Sequence, residues 1–259
     1  MEYDVLAIDD EQVILDSARK ILSLNDLSVD IALDAESALK KIETETYKII
    51  LTDLMLPHIS GFELIEIVKK QYPKLPIIMM TGYATLDNAV RSLKIGAFDF
   101  VPKPFDIDEL LSVSARSLRY RLSIDDDNLA EQWAKCLSKK IRAESLYFLG
   151  NHSWARLEPD GTAAIGVGET FSRTVGEIEK IEFPRIGDDV FQGSACVKIF
   201  TEYELAHTVW SPLSGEVIDY NRNLEEDGYL ISIDPFFEGR LFRIIPHDLE
   251  NELENLIIS

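Results

Sequence analysis

The chain has 259 residues, 46% of them apolar. That suits about two domains of ~100–200 residues with real cores. Its formal net charge of −20 argues against nucleic-acid and anionic-lipid partners, since both are bound through Lys and Arg that neutralise phosphate. Two cysteines, Cys136 and Cys196, make neither a disulfide framework nor a metal site, and they read as inert thiols of a reducing cytosol.

The start, MEYDVLAIDDE, is acidic and runs straight into a strand. It lacks the charged n-region and long apolar stretch of a signal peptide. No apolar run approaches the ~18 residues of a membrane span, so a cytoplasmic location is expected. Residues 1 to about 122 then alternate strand and helix five times. Strands are predicted over Asp4–Ile8, Ser28–Ala32, Lys48–Thr52, Pro76–Met80 and Ala97–Val101. Apolar residues at 3–4 spacing predict helices over Val13–Leu24, Ala35–Glu45, Gly61–Tyr72, Thr85–Lys94 and Ile107–Leu122. This alternation implies a doubly wound α/β domain with a parallel sheet. Five such units suit the flavodoxin-like strand order 2-1-3-4-5.

Residues 123–149 change character. Asp125, Asp126 and Asp127 break the pattern, and Leu129–Leu149 is helix-permissive, so a helical linker is expected. From Gly150 onward glycines punctuate short apolar stretches: Ala163–Val167, Cys196–Phe200, Gly215–Ile218, Tyr229–Ile233 and Leu241–Ile245. Many short strands with turn signals predict a β-rich second domain of barrel or sandwich type over 150–259. GEIEKIEF with GDDVFQGSACVKIF, and GEVIDY with EEDGYLISI, each read as strand, acidic turn and strand, a faint internal repeat.

Five polar residues fall just after apolar runs of the first domain. Asp9 and Asp10 follow VLAI, Asp53 follows IILT, Thr81 follows IIMM and Lys103 follows AFDFVP. Buried parallel strands read as such runs, and ligands of open α/β sheets sit beyond the strands' carboxyl ends. The five should therefore meet at one sheet edge. Singly, an Asp after a strand is usually a helix N-cap and a lysine a solvated charge. Together they suit a hard cation and a phosphoryl group. Mg²⁺ bridges carboxylate and phosphoryl oxygens, with Asp10 and Asp53 as direct ligands, Asp9 through water and the Met55 carbonyl as another oxygen. Lys103 would neutralise one phosphoryl oxygen and Thr81 would donate a hydrogen bond to another.

These motifs, LAIDDE, LTDLMLPHISGFEL, MMTGYA and GAFDFVPKPF, resemble the receiver domain of two-component response regulators. The resemblance implies that Asp53 accepts a phosphoryl group from a sensor histidine kinase. It also implies that Thr81 and Phe100 switch rotamers on phosphorylation and that the Lys103–Pro104 bond is cis. Phe100 has no hydroxyl, so its switch would rest on burial. Phosphorylation would then favour a homodimer through the fourth helix, fifth strand and fifth helix.

The stretches HSWARLEPDGTAAIGV, GEIEKIEFPRIGDDVFQG and SPLSGEVIDYNRNLEEDGYLISIDPFFEGRLFRI are similar to the glycine cleavage H protein, a small lipoyl-type β fold. That family's function rests on one lipoate-bearing lysine at a hairpin tip. Spacing back from Ser211 and Pro212 puts the position at Glu204, which has no amine to acylate. Only Lys180 and Lys198 remain in the domain, and Lys198 lies inside the predicted strand CVKIF. The domain is therefore expected to be a non-lipoylated module that binds a protein target, with Glu202, Tyr203 and Glu204 as an acidic, aromatic-bearing tip. The alternative is a phosphorylation-gated lipoyl carrier or a regulator of glycine cleavage or other lipoate-dependent metabolism. Residues 151–259 hold more than twice as many Asp and Glu as Lys and Arg, and no helix-turn-helix pattern follows the first domain. A transcription factor is thus disfavoured, and no enzyme activity is expected.

Overall fold

The computed structural model describes residues 1–82, 86–123, 145–202 and 205–258. The chain splits into two compact units, Met1–Thr85 with Ile95–Ser123 and Leu86–Lys94 with Ile124–Ser259.

The first unit is built on five parallel strands: β1 (Glu2–Ile8), β2 (Val29–Ala32), β3 (Thr46–Asp53), β4 (Ile77–Thr81) and β5 (Asp99–Pro102). Their order in the sheet is β2-β1-β3-β4-β5, as predicted. Burial dictates the sequence here. Val5, Leu6, Ala7 and Ile8 of β1 and Ile49, Ile50 and Leu51 of β3 are fully buried, which is why these strands read as continuous apolar runs rather than as alternation. The helices are α1 (Gln12–Ser23), α2 (Ala35–Thr44), α3 (Gly61–Gln71) and α5 (Ile107–Ser123), with α4 (Leu86–Lys94) following β4 in the chain. Predicted and observed ends differ by one or two residues, the usual uncertainty of frayed termini.

Local chemistry fixes two helix starts. The Asp34 carboxylate accepts the Ser37 N–H at 2.6 Å at the N-terminus of α2. Ser60 and Glu63 form a reciprocal capping box at the start of α3, each such cap being worth about 1 kcal/mol. The cap on α3 matters for the site because it anchors the return of the chain after β3.

The second unit contains two antiparallel sheets. Its strands are β6 (Leu146–Leu149), β7 (Ser153–Leu157), β8 (Ala163–Val167), β9 (Ile178–Glu182), β10 (Asp189–Val190), β11 (Ala195–Thr201), β12 (Leu205–Trp210), β13 (Gly215–Tyr220), β14 (Phe242–Pro246) and β15 (Ile257–Ile258). Seven lie in the order β10-β13-β14-β8-β7-β6-β15 and three in the order β12-β11-β9. Short helices α6 (Glu169–Thr174), α7 (Asn223–Glu226), α8 (Leu230–Ile233) and α9 (Leu249–Leu253) interrupt them. Trp154 is fully buried among Leu146, Ala164 and Phe236, and its indole donates to the Pro235 carbonyl at 3.2 Å.

Three expectations are corrected. Residues 146–149 form strand β6, not the end of a linker helix. They pair with β7, Phe148 opposite Trp154, and Gly150 at φ +56° turns the chain back. The rest of the expected linker helix, including Cys136 and the three aspartates 125–127, lies outside the described residues. The stretch 229–233 is helical, not a strand: the Ile233 N–H donates to Tyr229 O at 3.1 Å and the Asp234 N–H to Leu230 O at 3.0 Å. A five-residue apolar run fits either state by periodicity alone. With that strand gone, the second half of the suspected repeat does not match the first.

Candidate functional site

The carboxyl edge of the parallel sheet collects the residues that follow the apolar runs. Strand β3 ends at Asp53, and β1 ends at Ile8, which is in register with Thr52. Asp9 therefore stands beside Asp53 just beyond the paired region. Thr81 closes β4 opposite Pro102, and the Lys103 N–H donates to the Thr81 carbonyl at 2.7 Å. Strand pairing thus delivers Lys103 to the same edge. The Lys103–Pro104 bond is cis.

The Lys103 ammonium sits between two carboxylates, 2.5 Å from Asp9 Oδ2 and 2.6 Å from Asp53 Oδ1. Asp9 is fully buried and Asp53 nearly so. The other Asp53 oxygen accepts the Met55 N–H at 2.6 Å, and Asp9 Oδ1 accepts the Glu11 N–H at 3.0 Å. Burial pushes the Asp9 carboxyl above its ordinary range, more than the bonds from Lys103 and Glu11 pull it down. Burial also works against the Lys103 ammonium, but its bonds to Asp53 and Asp9 outweigh that and hold it above its ordinary value. Two carboxylates and one ammonium leave this corner with one net negative charge, before Asp10 is counted.

Asp10 is exposed, and Met55 is largely exposed. Thr81 and Phe100 are buried, at 2% and 3% exposure. Among the described residues no group of three or more His, Cys, Asp and Glu is arranged to hold a metal ion by itself. The donors present are nevertheless all oxygen and open to solvent on the Asp10 side. That suits Mg²⁺, which takes few protein ligands and keeps several waters.

Two contributors were not read from the sequence. The Met55 N–H, a backbone group, orients Asp53. Gly61, the first residue of α3, packs so closely that a Cβ there would collide with the Asp53 carbonyl oxygen. The sequence signal for Gly61 was its place inside the capping box Ser60-Gly61-Phe62-Glu63. In the second unit, Glu202 is exposed in the turn between β11 and β12, whereas Tyr203 and Glu204 lie outside the described residues. Lys198 is exposed in mid-strand, paired with Thr208 and Glu182.

Comparison with known proteins assigns both halves. Residues 5–115 match the response regulator receiver domain and residues 146–259 match the glycine cleavage H-protein. The glycine cleavage system H protein of Shewanella halifaxensis is 38% identical over 112 residues, which are 43% of this chain and 85% of that protein.

The chain joins a response regulator receiver domain to a glycine cleavage H-protein domain.

Its receiver is 39% identical over 107 residues to the DNA-binding transcriptional regulator NtrC of Proteus hauseri, covering 41% of this chain. The chain spans only 23% of that regulator's length. The receiver domain structure (CheY-like) from Methanospirillum hungatei JF-1 is 37% identical, covering 48% of this chain and 98% of that one at a TM-score of 0.45. Among the described residues of this response regulator, no helix is long and apolar enough to cross a membrane.

Proposed function

We propose that Asp53 is the phosphoacceptor of a two-component relay and that its modification controls how the H-protein domain engages a protein target. The observation that carries this reading is the Lys103 ammonium held within 2.6 Å of both Asp9 and Asp53. A cation fixed beside the Asp53 carboxylate supports the reading because it can neutralise a phosphoryl oxygen formed there. The donor is a sensor histidine kinase, as for other response regulators. Asp10, Asp53 and the Met55 carbonyl would hold Mg²⁺, with Asp9 through water, and the ion would neutralise charge on the transferring group.

This chain's own residues do the rest. Lys103 would exchange its bond to Asp53 Oδ1 for one to the phosphoryl group. The Met55 N–H keeps the other Asp53 oxygen in place. Thr81, at the end of the neighbouring strand, supplies a hydroxyl donor, and Phe100, one strand further, repacks as Thr81 moves. Such a shift needs differential stabilisation of one state, which the new phosphoryl contacts provide. We read the chain as a cytoplasmic, non-enzymatic switch whose phosphorylated form self-associates. Its H-protein domain is an unlipoylated binding module contacting its target through the tip at 202–204.

Incubation with Mg²⁺ and a small phosphodonor should add one phosphoryl group by intact mass, and Asp53→Asn should abolish it. Labelling of the variant at the wild-type rate would refute the assignment. Asp10→Ala should strongly weaken Mg²⁺ binding in a calorimetric titration. Sedimentation with and without beryllofluoride tests self-association.

A further inference from the structure

The H-protein domain carries a second polar site, remote in chemistry from lipoate. A cavity of about 360 Å³ is lined by Arg156, Glu158, Pro159, Asp160, Arg240 and Arg243. Three of the eight Lys and Arg residues of 151–259 thus converge on one cavity. Its lining bears three cations and two anions, and with Asp219 beside Arg240 each arginine has a carboxylate partner.

Sheet register creates this arrangement. Arg156 on β7 and Arg243 on β14 both pair with Ala164 on the intervening β8. Cross-strand partners share a face, so the two arginines flank a residue that contributes only a methyl. They stand about 10 Å apart at two strand spacings. Arg240 enters from the segment preceding β14.

The guanidinium groups are held in position. Arg156 Nη1 donates to Phe236 O at 2.8 Å, and its Nε and Nη2 donate to Glu158 Oε1 at 3.1 and 2.9 Å. Its guanidinium lies 5.0 Å from the Phe237 ring centre. Arg243 Nη2 donates to Asp160 Oδ2 at 2.7 Å and Thr162 Oγ1 at 2.6 Å. Arg240 Nη2 reaches Asp219 Oδ2 at 3.3 Å. Arg240 Nη1, however, is buried without a hydrogen-bond partner among the described residues. An orphaned buried N–H is unfavourable, and salt bridges at such a surface do little for stability on their own.

We infer that this cavity binds the phosphate monoester group of a small soluble molecule. Guanidinium forks match phosphate oxygens bidentately. The guanidinium groups of Arg240 and Arg243, with the Arg156 charge held beside them, suit a tetrahedral dianion with three acceptor oxygens better than a planar carboxylate. Glu158, Asp160 and Asp219 set the limit on affinity by competing for the same cations. The site is independent of the Asp53 reading and gives the output domain its own ligand input.

The test uses the full chain carrying Asp53→Asn, so that the receiver cannot take up the probe. Arginine Nε–H resonances are followed by NMR during titration with glycerol 3-phosphate at constant ionic strength. Saturable shifts are expected, weakened at least tenfold by Arg240→Gln and severalfold by Arg243→Lys, which keeps the charge and removes the fork. Absence of saturation, or unchanged affinity in both folded variants, would overturn the site. Succinate binding as tightly as the phosphate ester would overturn the ligand class. Binding to phosphatidic acid vesicles without binding of the free ester would overturn a soluble ligand.

Discussion

Gly61 lies against the backbone of Asp53 so closely that the first residue of α3 cannot carry a side chain without colliding with the Asp53 carbonyl oxygen. The Gly61 N–H donates at 2.9 Å to the carbonyl of Leu54, the next residue. The end of β3 and the start of α3 are therefore one rigid piece that sets where the Asp53 carboxylate points. Gly61→Ala should destabilise the receiver by roughly 1–3 kcal/mol, the usual range for overpacking. It should also slow phosphorylation of Asp53 by a small phosphodonor. The receiver's calorimetric transition and a phosphorylation time course read the two effects. Wild-type values in both would show that the backbone yields freely there.

Asp9 brings a cost in stability to the proposed phosphoryl site. Its fully buried carboxyl is raised by burial, so the folded state holds its proton more tightly than the unfolded chain does. Between the ordinary carboxylate value of 3.8 and the raised folded value, stability falls as pH rises. Asp9→Asn removes this burden, and at neutral pH it should stabilise the receiver by roughly 0.5–2 kcal/mol, the range common for relieving a functional site. The gain should shrink below pH ~4, where the unfolded Asp is also protonated. Mg²⁺ affinity should drop in the same variant. A variant less stable than wild type at pH 7 would mean that the Lys103 bond outweighs desolvation.

Most of the receiver was legible because burial on both sheet faces leaves an unmistakable record. VLAI, IILT and IIMM could hardly be anything but central strands, and the polar residue after each run marks the carboxyl edge. What escaped was carried by backbone groups and close approach. The Met55 N–H has no sequence identity of its own, and the need for Gly61 depends on a distance across a loop. The H-protein domain was less readable. LYFL at the end of the helix-permissive stretch and YLISI between acidic turns are short apolar runs whose state is decided by tertiary partners. Tyr147 and Phe148 pair with β7, whereas Leu230–Ile233 coils and buries Ile231 alone.

Asp4 fastens the edge of the sheet and supplies an acid-labile contact. Its carboxylate bonds Lys48 Nζ at 2.7 Å and the Ser28 N–H and hydroxyl at 2.8 and 2.7 Å. Burial alone would raise its pKa, but these bonds prevail and hold it at about 2. A depressed folded value contributes stability above the unfolded pKa of 3.8 and loses it as pH falls toward 2. Asp4→Ala should therefore cost about 1–2 kcal/mol at pH 7 and progressively less below pH 4. Hydrogen exchange of the β1 and β2 amides across that window is the measurement. A pH-independent penalty would assign the loss to packing instead.

The H-protein domain should remain bare of lipoate because its lysines are on strands. Lys198 is paired in mid-strand with Thr208 and Glu182. Lys180 binds Glu182 at 2.6 Å and lies 5.3 Å from the Phe200 ring centre. Between β11 and β12, where the H-protein resemblance puts the modified lysine, the sequence has Glu204, which lies outside the described residues. Co-expression with a lipoate ligase and supplied lipoate should leave the wild-type chain at its unmodified mass. Glu204→Lys should gain a single lipoyl increment, which would show that the turn still presents the geometry a ligase reads and that only the amine is missing. An increment on the wild-type chain that Lys198→Arg removes would establish the carrier reading in place of a binding module. A Glu204→Lys chain that stays unmodified would mean that the turn has diverged in shape as well as in that one residue.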